Sequence, residues 1–288
     1  MASPATLIVP ATFVLLWSTG FVTARLVAPH AEPLTFLTIR FVLAAAILAG
    51  AALAAGAAWP ATARGWRDAA IAGALLHGVY LGGVFWAVSQ GLPAGISALI
   101  AGTQPIVTAL LARPLLRERV SARQWAGIGC GMLGVTLVLA PRLGGSTGYP
   151  TAALAVSIAS TLAITLGTVW QKRTGTSLDL RSGTAIQFAG AALVVLVAAL
   201  ATETGRIEPV PAFWLGLGWS VFGMSIGAIA LLLLMIRRGA VVGVASLLFL
   251  VPPMTALMSY GLFGETLATI QLVGMALAAI GVALASRA

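Results

Sequence analysis

Residues 94–139 read AGISALIAGTQPIVTALLARPLLRERVSARQWAGIGCGMLGVTLVL, and a related stretch occupies residues 241–284. A shift of 147 residues aligns the two stretches without a gap, with 12 identities over positions 98–137. Among the identities are Pro105 with Pro252, Glu118 with Glu265, Gln124 with Gln271 and Gly127 with Gly274. Two apolar helices share some identical residues through their composition alone, but composition does not explain the shared Pro, Glu and Gln. The chain therefore contains an internal repeat.

The amino-acid composition indicates whether this repeat folds in water or in a membrane. Hydrophobic residues make up 60% of the 288 residues and charged residues 8%, whereas soluble domains carry roughly 25% charged residues. So much apolar surface is stable only against lipid. The net charge of +9 belongs to loops that orient the chain in a membrane, so we expect no nucleic-acid partner.

Hydrophobic runs predict an all-α integral membrane protein with ten transmembrane helices, since each span needs about 20 apolar residues. The predicted spans are about 6–27, 34–57, 67–89, 93–113, 121–140, 150–171, 181–202, 212–236, 240–263 and 267–286. Residues 1–140 form the first five-helix repeat, 141–149 a connecting loop and 150–288 the second repeat. Together they make one membrane domain. The sequence leaves the oligomeric state open and is compatible with a monomer.

The distribution of cations predicts the orientation. The loops after even-numbered spans and the C-terminus hold Arg64, Arg67, Arg113, Arg117, Arg119, Arg123, Lys172, Arg173, Arg181, Arg237, Arg238 and Arg287, which are twelve of the sixteen cations. The positive-inside rule therefore puts both termini in the cytoplasm. Because each unit has an odd number of spans, the second unit enters from the opposite side. Such an inverted repeat is typical of alternating-access transporters.

Several stretches resemble the EamA-type drug/metabolite transporters. The span-four and span-five signature is recognisable in residues 85–139 and again in residues 244–284, and LLWSTGFVTARLV (15–27) with LTFLTIRFVLAAAIL (34–48) is similar to the first two spans. The resemblance covers nearly the whole chain. It implies ten helices, an inverted repeat, cytoplasmic termini and a substrate cavity framed by both halves, in a bacterial inner membrane. Repeat and loop counts predict the first three independently.

The pairing of His77 and Tyr80 in span three, with aromatic walls, further resembles bacterial aromatic amino-acid exporters of YddG type. We therefore expect export of amphipathic or aromatic and other hydrophobic amino acids. A broad-specificity drug or metabolite exporter is the alternative within transport, and a membrane scaffold or receptor without flux is an alternative of another class. A membrane enzyme is disfavoured because the two histidines and the end-located acids form no nucleophile–base pair.

The positions of the acidic residues bear on how transport is coupled to an energy source. They are Glu32, Asp68, Glu118, Asp179, Glu203, Glu208 and Glu265, and all fall at or beyond the ends of predicted spans. Proton-coupled carriers typically use a membrane-embedded acid, so we expect uniport or another form of coupling. With one cysteine and no clustered acids, the sequence predicts neither a metal site nor a cofactor site.

Five polar or aromatic side chains within the spans are the candidate substrate-binding residues. They are Trp17, His77, Tyr80, Gln104 and Ser246. Helical angles of about 100° per residue put His77 and Tyr80 on one face. Polar groups in lipid-embedded helices usually face the interior, although each residue alone is also compatible with a packing role.

Arg40, about six residues into span two, has two interpretations. Its side chain either extends to the membrane surface, which is the preferred interpretation, or binds a carboxylate near the outer exit. No Lys or Arg cluster lies in the spans, which disfavours phosphorylated substrates.

Pro105 in span four and Pro252 with Pro253 in span nine are predicted to kink their helices, either as a matter of shape or as hinges. Glu118 and its repeat equivalent Glu265 each precede a helix. Glu118 is followed by Ser121 and Gln124 in capping-box spacing, which predicts a cap with dipole compensation. A gating salt bridge is the other interpretation of Glu118.

Overall fold

All regular elements in the described part of the chain are helical. The computed structural model describes residues 4–92, 94–117, 119–143, 150–174, 178–238, 241–264 and 267–285. In chain order the elements are α1 (Pro4–Val27), α2 (Pro33–Ala54), α3 (Ala63–Gly73), the π-helical segment π1 (Ala74–Val79), α4 (Tyr80–Ser89), α5 (Ala94–Ala101), α6 (Gln104–Leu111), π2 (Ala112–Leu116), α7 (Ala122–Leu143), α8 (Thr151–Thr174), α9 (Leu180–Thr202), α10 (Pro211–Trp219), π3 (Ser220–Ala228), α11 (Ile229–Arg238), α12 (Val241–Ser246), a 3₁₀ turn (Leu247–Leu250), α13 (Val251–Phe263) and α14 (Thr269–Ala285).

Seven helical stretches in these ranges are long and apolar enough to cross a bilayer. They are Pro33–Ala54, Ala63–Ser89, Ala122–Pro141, Thr151–Thr174, Leu180–Thr202, Pro211–Arg238 and Val241–Leu262, and Ile8–Ala24 and Thr269–Ala285 are shorter apolar helices. Large apolar side chains also cover the outside of the bundle, as at Leu200 and Leu215. An apolar exterior is suited to lipid. The prediction of an all-helical membrane protein is confirmed.

Two of the π-helical segments lie at equivalent positions of the repeat. The 147-residue shift maps π1 onto residues 221–226, which fall within π3. A π-helical turn changes the direction of the side chains that follow it, and such turns often occur at functional sites. The sequence did not predict these segments, because its periodicity was interpreted with the regular α-helical turn.

The prolines of spans four and nine lie at helix starts. α5 ends at Ala101 and α6 begins at Gln104, so Pro105 is in the first turn of α6. Pro252 and Pro253 are likewise in the first turn of α13, after the 3₁₀ turn. Proline is tolerated at such positions because no intrahelical bond needs its missing N–H group. The two spans are therefore interrupted, not simply kinked.

The repeat-related helices α7 and α14 approach each other closely through small residues. An added Cβ at Gly134 would lie 2.6 Å from the carbonyl oxygen of Gly274, and one at Gly127 would lie 2.7 Å from that of Gly281. The thiol of Cys130 donates a hydrogen bond to the Leu277 carbonyl across the same interface, at 3.4 Å. Small residues allow such backbone contact between membrane helices.

The predicted capping box at the start of α7 is confirmed. The Ser121 N–H donates to Gln124 Oε1 at 2.9 Å, and the Gln124 N–H donates to Ser121 Oγ at 3.2 Å. The second repeat retains half of this arrangement, since the Ala268 N–H donates to Gln271 Oε1 at 3.0 Å. Both boxes satisfy amide groups that the first turn of a helix leaves unpaired.

The connectors at the end where α2 begins tie the two repeats together. The carboxylate of Glu203, which follows α9, accepts hydrogen bonds from the N–H groups of Leu34 and Thr35 at 2.8 and 2.7 Å. Glu32 reaches the other way and accepts a bond from the Arg206 N–H at 2.8 Å. This backbone contact lowers the pKa of the Glu32 carboxyl. A carboxylate at a helix start also interacts favourably with the helix dipole.

Two predictions concern residues that lie partly or wholly outside the ranges that the structure describes. Glu118 and Glu265 lie outside the described residues. α7 continues through Pro141 to Leu143, so it enters the stretch predicted as the connecting loop, of which residues 144–149 are also outside the described part.

Candidate functional site

A cavity of about 70 Å³ lies inside the bundle and is lined by helices from both repeats. Its wall is formed by Trp17, Gly20 and Ala24 of α1, Phe36 and Arg40 of α2, His77 of π1, Tyr80, Leu81, Val84 and Phe85 of α4, Phe188 of α9, Ser220 and Met224 of π3, and Ile229 of α11. Most of these side chains are apolar or aromatic, and a few carry hydrogen-bonding groups. This composition is typical of small-molecule binding sites.

The repeat-related helices α2 and α9 pack together and both contribute to the cavity wall. Phe41 and Phe188 are repeat equivalents, both are fully buried, and their rings stack with centroids 5.6 Å apart. The imidazole of His77 stacks on Phe188 at 4.8 Å. The orientation of His77 is therefore set by packing against α9 of the other repeat.

His77 is 1% exposed, and neither of its ring nitrogens has a hydrogen-bond partner among the described residues. Gln187 lies near the ring, but its amide nitrogen donates to Gln171 Oε1 at 2.8 Å. A buried polar atom left unpaired costs roughly 1–3 kcal/mol. In a cavity wall, such an atom is available to water or to a bound solute.

Arg40 is 4% exposed, so the prediction that it extends to the membrane surface is wrong. Its Nε donates to Ser225 Oγ at 2.8 Å, and its guanidinium carbon lies 5.6 Å from the centroid of the Phe41 ring. The reason is the face of α2 on which it lies. Leu37, Phe41 and Ala44 are at i−3, i+1 and i+4 from Arg40, and all are buried. Arg40 thus points into the bundle.

The structure brings Trp17, His77 and Tyr80 into one wall, and it places the other two candidate site residues elsewhere. Gln104 is buried in α6 with its Oε1 unpaired among the described residues. The hydroxyl of Ser246 in α12 donates to the Val242 carbonyl at 2.8 Å. α6 and α12 pack against each other, and neither residue lines the cavity, so this cavity gives no support to a binding role for these two residues.

Sequence reasoning missed several wall residues, including Phe36, Phe188, Ser220 and Ile229. The alignment of the two repeats points to two positions in the wall, those of Met224 and Arg40. Met224 is the repeat equivalent of His77 and lines the same cavity, and Arg40 is equivalent to Gln187, so a polar residue occupies this position in both copies. A position that is polar twice in an apolar helix is expected to face the interior.

The wall residues of the cavity offer groups for noncovalent binding of a solute. Among the described wall residues, Arg40 is the one with a permanent charge, and none is acidic. The hydroxyl groups of Tyr80 and Ser220 and the imidazole of His77 are the other polar groups. An apolar cavity of about 150 Å³ is known to hold benzene, so this cavity must widen before it can enclose an aromatic side chain.

Comparison with known proteins identifies the family. The sequence profile of the EamA-like transporter family matches residues 5–140 and again residues 151–287. The two matches fall on the two copies of the internal repeat and together cover nearly the whole chain.

Individual relatives agree with this assignment. The chain is 28% identical to YedA, an uncharacterized inner membrane transporter of Escherichia coli (strain K12), over 258 residues, which are 89% of this chain and 82% of YedA. It is 25% identical to the uncharacterized transporter YvbV of Bacillus subtilis (strain 168), covering 93% of this chain and 87% of YvbV. One solved crystal structure superimposes with a TM-score of 0.83 at 21% identity, covering 99% of this chain and 97% of the other. That similarity shows the fold alone.

Proposed function

The chain belongs to the EamA-like transporter family, and we propose that it exports small amphipathic solutes, with hydrophobic and aromatic amino acids as the leading class. One observation carries this proposal. The cavity lies between the two repeats, and its wall combines aromatic rings with a few polar groups, among them the unpaired nitrogens of His77. Such a wall accommodates an apolar side chain by stacking and orients a polar head by hydrogen bonds.

In this proposal ten helices cross the inner membrane as a five-plus-five inverted repeat with both termini in the cytoplasm. The first repeat comprises residues 1–140 and the second 150–288, joined by 141–149. The excess of cations in alternate loops and the equivalent positions of π1 and π3 support this arrangement. Alternating access then exchanges the conformations of two similar halves around the cavity.

The proposal assigns roles to individual residues. Trp17, His77 and Tyr80 contact the solute in the cavity. Pro105 and the Pro252–Pro253 pair act as hinges, since they lie in the first turns of helices that follow an interruption in their spans. Hinges commonly lie at such helix ends because backbone rotation there disturbs few hydrogen bonds.

A panel of labelled solutes tests the function. Purified protein is reconstituted into liposomes, and uptake of leucine, phenylalanine and tryptophan is compared with uptake of a cationic dye. We expect protein-dependent uptake of amino acids above that of empty liposomes. Uptake of the dye together with unrelated metabolites would instead indicate a broad-specificity exporter, and an absence of any flux would indicate a scaffold or receptor.

A further inference from the structure

Arg40 is a buried cation for which the described residues supply no anion. The acidic groups of the described part all interact elsewhere: Glu32 with Thr204 and Arg206, Asp68 with Arg64 and Arg67, Asp179 with Arg181, Glu203 with Leu34 and Thr35, and Glu208 with His30 and Arg206. In these residues the hydrogen bond of the Arg40 side chain goes from Nε to a neutral hydroxyl, that of Ser225.

A guanidinium group in such a position is costly. A charge buried in a membrane helix is unfavourable unless it is paired, and the aromatic contact with Phe41 offsets only part of that cost. Nη1 and Nη2 of Arg40 form no hydrogen bond with the described residues, while the residue lines the cavity. A solute in the cavity can therefore supply the anion that the described residues do not.

We propose that Arg40 binds the carboxylate of the transported solute, so that solutes without a carboxylate are poor substrates. This inference rests on the proposed function and narrows its substrate class to monocarboxylates with an apolar side chain, including zwitterionic amino acids. A guanidinium group matches a carboxylate with two parallel hydrogen bonds. A single arginine balances one negative charge, whereas a phosphate ester would leave a second charge unpaired.

The other wall groups match the remainder of such a molecule in chemical character. Arg40 of α2 is held by its hydrogen bond to Ser225 of π3. The aromatic side chains of Trp17, Phe85 and Phe188 supply apolar surface elsewhere in the wall. Ser220 and Tyr80 offer neutral oxygen acceptors for an ammonium group. The described wall has no carboxylate that would favour a simple amine.

Three probes of equal apolar size separate the carboxylate from the rest of the ligand. L-phenylalanine carries both charged groups, 3-phenylpropionate only the carboxylate, and phenethylamine only the ammonium. Binding of each to the purified full chain is measured by isothermal titration, and thermal unfolding in detergent is recorded without ligand.

The variants are Arg40→Gln, which removes the charge, and Ser225→Ala, which removes the group that positions it. Arg206→Gln is the matched control, because it removes the same charge at an exposed site.

We expect wild type to bind both carboxylates in preference to phenethylamine. Arg40→Gln should weaken binding of both carboxylates on the order of 10- to 100-fold and leave phenethylamine unchanged, without lowering the unfolding temperature of the empty protein. Ser225→Ala should weaken carboxylate binding less, and Arg206→Gln should behave as wild type.

Equal binding of phenethylamine and L-phenylalanine by wild type would overturn the proposal, as would unaltered carboxylate affinity in Arg40→Gln. A lower unfolding temperature in Arg40→Gln with unchanged ligand preference would assign Arg40 a purely structural role. If Arg40→Gln does not fold, the wild-type series and Ser225→Ala decide. In liposomes, flux of phenethylamine equal to that of L-phenylalanine contradicts only the role of Arg40, whereas no flux of any solute contradicts the proposed function.

Discussion

Two buried nitrogen-bearing side chains, Arg40 and His77, line the cavity and are the residues to which our proposals assign recognition of the solute. Both come from the first repeat, and their equivalents in the second repeat are Gln187 and Met224. Of these four residues, Arg40, His77 and Met224 line the cavity. At the position of His77, the second repeat contributes the apolar side chain of Met224 to the same cavity wall.

Replacement of His77 by alanine is predicted to weaken transport without loss of protein. Removal of the imidazole gives up its stacking on Phe188 but also removes two buried nitrogens that have no hydrogen-bond partner among the described residues, so we expect the variant to fold. A solute would lose a polar contact and a ring surface. We expect L-phenylalanine uptake in liposomes to fall about 5- to 30-fold, as the loss of one or two kcal/mol of binding implies.

His30→Ala is the control for this variant, because it removes the chain's other histidine from a connector where it pairs with Glu208. Unchanged uptake by His77→Ala at equal protein levels would remove His77 from the site.

Individual site residues were predictable where chemistry and position agreed. His77 and Tyr80 combine polar tips with a mid-span position, and both line the cavity. Arg40 was interpreted wrongly because its distance from the span end is compatible with both a surface and an interior location. Its burial follows from packing of the neighbouring positions Leu37 and Phe41 against the rest of the bundle, which depends on tertiary structure.

At the scale of elements, the α7–α14 contact is the part of the frame most sensitive to side-chain size. Gly134→Leu should destabilise the protein by about 1–3 kcal/mol or prevent folding, because a side chain there meets backbone atoms of α14 that have no room to move. The measurement is thermal unfolding and the monodisperse fraction in detergent. Gly129→Leu is the matched control, since Gly129 lies in the same helix with no atom within 4 Å of an added Cβ. Equal stability of the two variants would contradict this account of the interface.

Element type was predictable from hydropathy, and the capping box of α7 from its spacing. The π-helical segments and the interruptions of spans four and nine were not, because hydropathy reports burial in lipid and not the backbone hydrogen-bond pattern. These irregular elements are the ones that carry His77, Met224 and the prolines. Irregular backbone at membrane depth is tolerated where it is buried in protein or lines a cavity.

At the scale of the whole molecule, transport is predicted not to require a proton gradient. The described cavity wall has no acidic residue that would exchange a proton. Counterflow of labelled L-phenylalanine in liposomes should therefore proceed without a pH gradient, and an imposed gradient should leave its rate nearly unchanged. Strict dependence on the gradient would contradict uniport and require a coupling group elsewhere.

The duplicated architecture was predictable from the sequence because the repeat preserves residues with fixed structural roles, such as the helix-starting prolines and the interface glycines. The location of the cavity was less predictable. It depends on how α1, α2 and α4 of one copy meet α9, π3 and α11 of the other, and one copy alone does not define it.

The central claim is that the cavity between the two repeats is the route of the solute, and thiol modification tests it most directly. Cys130 is the chain's one cysteine, so Cys130→Ala gives a cysteine-free protein and Leu81→Cys then adds a single thiol to the cavity wall. L-phenylalanine uptake in liposomes is measured before and after N-ethylmaleimide, with labelling followed by mass spectrometry. We predict that labelling at position 81 abolishes uptake, that excess L-phenylalanine slows the labelling, and that the cysteine-free protein is unaffected. Undiminished uptake by fully labelled protein would contradict the claim.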